Sequence, residues 1–156
     1  MQAMSIGIIS YNHNNHHDAF RDLNVEWLDY YNLKESHDME ILDDPQGMIL
    51  DNGGFIWMAE EDGRLVGSAA LMKEGEETFE LAKMAVTAAY RGKGISKILI
   101  ETCISKAREI GAKKLLLFSN HQLKTALALY EKYGFRHVPP DNSPFVTADV
   151  KMELIL

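Results

Sequence analysis

Cysteine is nearly absent from this 156-residue chain. The one thiol, Cys103, allows no internal disulfide and suits a reducing cytoplasm. Long apolar runs are missing too. No stretch approaches the roughly 18 apolar residues of a membrane span, and Met1–Ser10 lacks the basic start and apolar centre of a secretory signal. Neither a membrane partner nor export is therefore expected. Positive charge is scarce: 16 Lys and Arg stand against 23 Asp and Glu, for a net charge of −7. Such a balance argues against nucleic acid as the main partner. Metal-ligand spacing is also lacking. His13, His16 and His17 are close in sequence, but no Cys or carboxylate supports them, so they read as a polar loop and no metal is expected. There is no internal repeat, low-complexity tract or linker. With 46% hydrophobic and 25% charged residues, the chain reads as one globular domain over residues 1–156.

What is present is a clear alternation of strand and helix signals. Ser5 to Tyr11 reads as a first strand and Tyr11 to His17 as a loop. Phe20, Leu23, Trp27 and Tyr30/Tyr31 recur at helical spacing. A short helix is expected over Glu35 to Leu42, stopped before Pro45. Asp51-Asn52-Gly53-Gly54 is a turn. Phe55–Glu60 and Leu65–Met72 flank Glu61-Asp62-Gly63 as a hairpin, and Thr78–Val86 returns as a third strand. Ile95, Ile98, Leu99, Cys103, Ala107 and Ile110 form the stripe of the main helix, which Gly111 stops. Lys114–Phe118 is a buried strand and Leu123–Tyr133 a helix, with Tyr133 as core. Phe135–Val138 and Val146–Leu154 are strands around the loop from Pro139 to Pro144. Antiparallel strands followed by strand–helix–strand predict a mixed α/β sheet.

The run Tyr90-Arg91-Gly92-Lys93-Gly94-Ile95-Ser96 lies between the third strand and the main helix. Two glycines let backbone approach a ligand closely, and a helix start presents free N–H groups and partial positive charge to an anion. Arg91 and Lys93 add cations. The pattern is neither the nucleotide P-loop nor the dinucleotide G-x-G-x-x-G fingerprint. It resembles instead the acetyl-CoA loop, R/Q-x-x-G-x-G/A, of the GNAT superfamily of acyl-CoA-dependent N-acyltransferases. Downstream, Ala126-Leu127-Ala128-Leu129-Tyr130-Glu131-Lys132-Tyr133-Gly134-Phe135 resembles the A-x-x-L-Y-E-K-x-G-F signature of the same superfamily. The resemblance is tight over about residues 78 to 138.

That resemblance implies a mostly antiparallel sheet with two splayed central strands, flanked by helices, and acetyl-CoA held in the splay as co-substrate. Backbone around Met84, Ala85 and Val86 would meet the pantetheine arm. Backbone N–H groups of Arg91, Gly92, Lys93, Gly94, Ile95 and Ser96 would hold the pyrophosphate. Ser96 stands where the family has Gly or Ala, which changes the detail of that cradle. Leu123 stands where many members have Asn, and Asn120 is the candidate to replace that contact or else to cap the next helix. Tyr130 matches the tyrosine that meets the leaving thiolate, a role a phenol with pKa of about 10 can fill while protonated. Glu80 is the candidate general base, since an amine must lose a proton before it attacks a carbonyl. Glu26 and Tyr30 are candidates for the edge of the acceptor pocket. Cys103, on a buried stripe, reads as core rather than as a nucleophile.

Charge divides along the chain in the same sense. Residues 1–90 hold 5 basic and 17 acidic side chains, and residues 91–156 hold 11 and 6. This suits a phosphate-attracting half and an acceptor half that attracts a cationic amine. The expected function is transfer of acetyl from acetyl-CoA to a primary amine by direct attack in a ternary complex. A non-catalytic acyl-CoA sensor and a protein lysine or N-terminal acetyltransferase are the alternatives. The resemblance leaves a homodimer open and does not name the amine.

Overall fold

The structure is a computed structural model that describes residues 5–141 and 143–156. Its centre is one seven-stranded sheet in the order β1-β2-β3-β4-β5-β7-β6. The strands are β1 (Gly7–Ser10), β2 (Phe55–Glu61), β3 (Arg64–Lys73), β4 (Thr78–Val86), β5 (Lys114–Ser119), β6 (Arg136–Val138) and β7 (Val150–Ile155). Every neighbouring pair is antiparallel except β4 and β5, which are parallel. The chain between those two runs through helix α3 (Ile95–Glu109), the crossover that a parallel pair requires. The expected GNAT-like mixed sheet is thus the observed architecture.

Alternating side chains send two cores to the two faces. Leu71, Phe79, Leu81, Leu115 and Leu117 pack with Leu99, Ile100 and Cys103 of α3, and Tyr130 of α4 (Lys124–Lys132) joins them. On the other face Ile56, Met58 and Ala70 meet Phe20 and Leu23 of α1 (His13–Tyr30) and Ile41 and Leu42 of α2 (Ser36–Asp43). Burying side chains of this size is worth about 1.5–3 kcal/mol each, so both helical layers are bound firmly to the sheet.

Four expectations need correction. The Asn/His run is not a loop: α1 starts at His13, because Asn12 accepts the Asn14 N–H (3.1 Å) while its own N–H donates to His16 Nδ1 (2.9 Å). Polar residues that read as a loop serve here as a helix cap. In α3, Ile98 and Ile110 are partly exposed, and the buried face is Ile95, Leu99, Ile100, Cys103, Ile104 and Ala107. Tyr133 is only half-buried, and its hydroxyl donates to Glu101. The last strand begins at Val150 rather than Val146. Residues 143–149 instead form a strap, whose Val146 N–H (2.9 Å), Thr147 N–H (2.8 Å) and Thr147 hydroxyl all donate to the Glu35 carboxylate. Those bonds, with His37 close by, overcome the opposing effect of partial burial and hold the Glu35 carboxyl below its ordinary range.

Candidate active site

β4 and β5 stay paired only through Thr78↔Lys114, Phe79↔Leu115 and Glu80↔Leu116. Beyond Glu80 they part, leaving Leu81–Val86 and Leu117–Ser119 facing each other across a gap. A bulge shapes β4 inside that gap. Its register with β3 slips between Ser68↔Ala85 and Ala70↔Ala82, and Lys83 takes a left-handed backbone at φ 51°. That conformation costs a non-glycine residue about 1–2 kcal/mol. Buried partners hold it: Ser68 Oγ donates to the Lys83 carbonyl (2.8 Å), and Asn24 Nδ2 donates to Ser68 Oγ (3.0 Å) and to Phe20 O (2.8 Å).

A cavity of about 130 Å³ lies in the gap, with Glu80, Lys83 and Met84 on one wall and Asn120, Ala126 and Tyr130 on the other. Tyr130 is largely buried, and its hydroxyl has no hydrogen-bond partner among the described residues. Burial, with a smaller effect from Cys103, pushes its pKa up. It therefore stays protonated across the whole working range and keeps a proton to donate. Glu80 is 6% exposed. Burial first, then the neighbouring Glu74 carboxylate, push it up to about 8, and the Lys83 charge works in the opposite direction. A carboxyl in that state exchanges its proton near neutral pH, as a general base should. Asn120 is committed on both sides of its amide: Nδ2 donates to Thr147 O (2.8 Å) and Oδ1 accepts from Gln122 N–H (3.0 Å). It ties the strap to the turn before α4, and the N-cap position of α4 is Leu123.

A larger cavity of about 570 Å³ adjoins the first and runs to the glycine loop, lined by Met84–Val86, Arg91, Gly92, Gly94–Lys97, Leu123, Ala126 and Leu129. Gly92 (φ 75°) and Gly94 (φ 82°) both adopt left-handed backbone, and a Cβ on either would meet open space. Conformation, not crowding, requires glycine there. Gly94 caps α3 without any side-chain bond, so the first N–H groups of the helix are free toward the cavity. Arg91 corrects the expectation. Its N–H closes on Ala88 O (3.3 Å), and its Nε donates to Val86 O (3.0 Å). Its guanidinium lies against Trp27 (4.9 Å) and Tyr30 (5.1 Å). It braces the loop more than it lends it a backbone donor, yet its Nη2 is buried with no partner. An orphan cationic donor beside uncapped helix N–H groups fits a bound anion. Lys93 reaches over the Tyr90 ring (5.3 Å), and Ile95 is buried under the loop.

Glu26 and Tyr30 lie elsewhere than the small cavity. Glu26 accepts from Thr87 Oγ1 (3.2 Å), and Tyr30 is 70% exposed on top of Arg91. Two groups that the sequence reading missed do line the cavity, Lys83 and its buried partner Asp38. Helix period alone hid Asp38, although its place three residues after Glu35 marks a helix start. Among the described residues no group of three His, Cys, Asp or Glu side chains is placed to hold a metal ion, and no helix is long and apolar enough to cross a membrane.

The family model described as Acetyltransferase (GNAT) matches residues 11–135. The chain belongs to the GNAT acetyltransferase family. It is 39% identical over 89 residues to the uncharacterized N-acetyltransferase YjgM of Escherichia coli, a match that covers 55% of this chain and 53% of that protein. The match thus spans about half the length of that curated relative. Among solved structures, an acetyltransferase of the GNAT family from Staphylococcus aureus Mu50 superposes with a TM-score of 0.87 at 22% identity, over 97% of this chain and 99% of that one. The PaiA N-acetyltransferase from Thermoplasma acidophilum, solved in complex with coenzyme A, superposes with a TM-score of 0.75 at 19% identity, over 98% and 100%. At those identities the likeness establishes the GNAT fold.

Proposed function

We infer that this GNAT chain is an acyl-CoA-dependent N-acetyltransferase that passes the acetyl group of acetyl-CoA to a primary amine. The observation that carries the reading is the gap between β4 and β5, where Glu80 and Tyr130 line one cavity and the uncapped loop closes the next. Acetyl-CoA supplies the activated acyl carbonyl. The N–H groups of Gly92 to Ser96, with Arg91 Nη2, would hold its pyrophosphate, each charge-assisted bond contributing about 1.5–3 kcal/mol. The backbone of Met84–Val86 that faces the gap would take the pantetheine arm, apart from the Val86 carbonyl that Arg91 already holds. Glu80 would receive the amine proton, directly or through water. The Tyr130 hydroxyl would donate to the departing sulfur. Cys103 is fully buried and burial pushes its thiol up, which removes it as a nucleophile and favours direct attack in a ternary complex. A lone buried thiol also suits a cytoplasmic enzyme.

Calorimetric titration with acetyl-CoA, run beside thiol release in the presence of a panel of amines, tests the reading. Binding with amine-dependent release supports it. Binding without release on any amine would favour an acyl-CoA sensor, and absence of binding would overturn the reading altogether.

A further inference from the structure

The buried ion pair in the acceptor cavity has no part in the chemistry above. Lys83 Nζ lies 2.5 Å from Asp38 Oδ1, with the two side chains 6% and 4% exposed. The other Asp38 oxygen accepts the Glu35 N–H (2.8 Å), so each oxygen of that carboxylate has a partner. The ammonium is not. It has three donors. Asp38 takes one, and the Phe145 ring face, 5.1 Å away, covers another side. The remaining donor belongs to a side chain that lines the 130 Å³ cavity beside Glu80. A buried pair of this kind returns little net stability against an apolar substitute, so the uncommitted donor of Lys83 calls for a partner of its own. The arrangement makes sense if the acceptor brings an anion.

Two further observations set the size and character of that acceptor. The cavity has room for an amine, one carbon and a carboxylate. Glu80, Phe118 and Phe145 also border a second cavity of about 310 Å³, whose remaining walls mix the apolar Ile41, Met72 and Leu116 with the polar His37, Glu74 and Lys151. The side chain of an acceptor has room there.

We propose that Lys83 reads a carboxylate on the acceptor, and that the acceptor is a free α-amino acid. Its amine faces Glu80, its carboxylate faces Lys83, and its side chain occupies the 310 Å³ cavity. This assignment rests on the transferase reading and excludes protein lysines and N-termini, which carry no carboxylate beside the amine. Lys83 is then a specificity-determining residue.

Matched acceptor pairs test it: phenylalanine against phenethylamine, leucine against 3-methylbutylamine. Thiol release from acetyl-CoA is measured with the wild type, Lys83→Met and the double variant Lys83→Met/Asp38→Asn. The double variant leaves no unpaired buried charge, and its thermal melt confirms folding. The wild type is expected to favour the acid-bearing member by about 10–100-fold in kcat/KM, the worth of one hydrogen bond between charged groups. That ratio should fall to within about threefold in the double variant. Equal rates on both members, a ratio that survives in the double variant, turnover on lysine peptides alone, or silence on every pair from a protein that binds acetyl-CoA would each overturn the acceptor class. Failure to bind acetyl-CoA would instead overturn the transferase reading beneath it.

Discussion

Replacing Glu80 by Gln should make the protein more stable and less active, with both effects governed by pH. The folded chain resists ionising this carboxyl because it is buried and faces Glu74, which together push it from 4.5 to about 8. The unfolded chain ionises it in the ordinary range. The stability linked to Glu80 is therefore complete below that range and is lost as pH rises toward 8. At about 1.36 kcal/mol per pH unit, the gap bounds the loss at about 5 kcal/mol. Gln keeps the shape and a donor toward Glu74 but does not titrate. Melts of the two proteins should coincide near about pH 5 and separate by about pH 8, at about 2–4 °C per kcal/mol. Over the same range the variant should lose about 10²–10⁴ of turnover, together with the rise in rate expected of the wild type near pH 8. Parallel melts at every pH would refute the perturbed carboxyl. Unchanged turnover with separated melts would refute its role as base.

Tyr130→Phe should lower kcat by about 10–100-fold and leave acetyl-CoA affinity nearly unchanged; equal losses in kcat and in calorimetric affinity would mean a packing role. Gly94→Ala forces a Cβ into left-handed backbone (φ 82°), at a cost of about 1–2 kcal/mol. Its acetyl-CoA Kd should rise roughly tenfold at unchanged fold, and an unchanged Kd would remove the loop from the binding site. Glu35→Ala should free the strap, so that hydrogen exchange at Val146 and Thr147 speeds up. In the wild type the same loss should come only as pH falls through the depressed carboxyl value, since that stabilisation is present above the ordinary Glu range. Protection that outlasts both changes would assign the strap to other contacts.

The elements that build the central gap were legible because each has its own local signature. Alternating apolar residues gave β2 to β4, two glycines and a basic pair gave the loop, and the Ala126–Phe135 run placed Tyr130. Groups whose partners are distant in sequence were not legible. Lys83 meets Asp38 across 45 positions and Thr147 meets Glu35 across 112, and no periodicity links such residues. The bulge at Lys83 escaped for another reason: its left-handed backbone is held by Ser68 and Asn24 from other elements, not by a glycine. The Asn/His run misled because residues that favour loops also favour helix caps. Arg91 reads as a phosphate ligand by charge alone, whereas its neighbours Val86, Trp27 and Tyr30 decide where it points.

The central claim is that the parted strands hold acetyl-CoA and an amine together beside Glu80 and Tyr130. Thiol release from acetyl-CoA, measured with and without amine on the wild type, Glu80→Gln and Tyr130→Phe, tests it most directly. The account predicts release that requires the amine and falls in both variants while each still binds acetyl-CoA. Amine-dependent release at wild-type rates in both variants would contradict it.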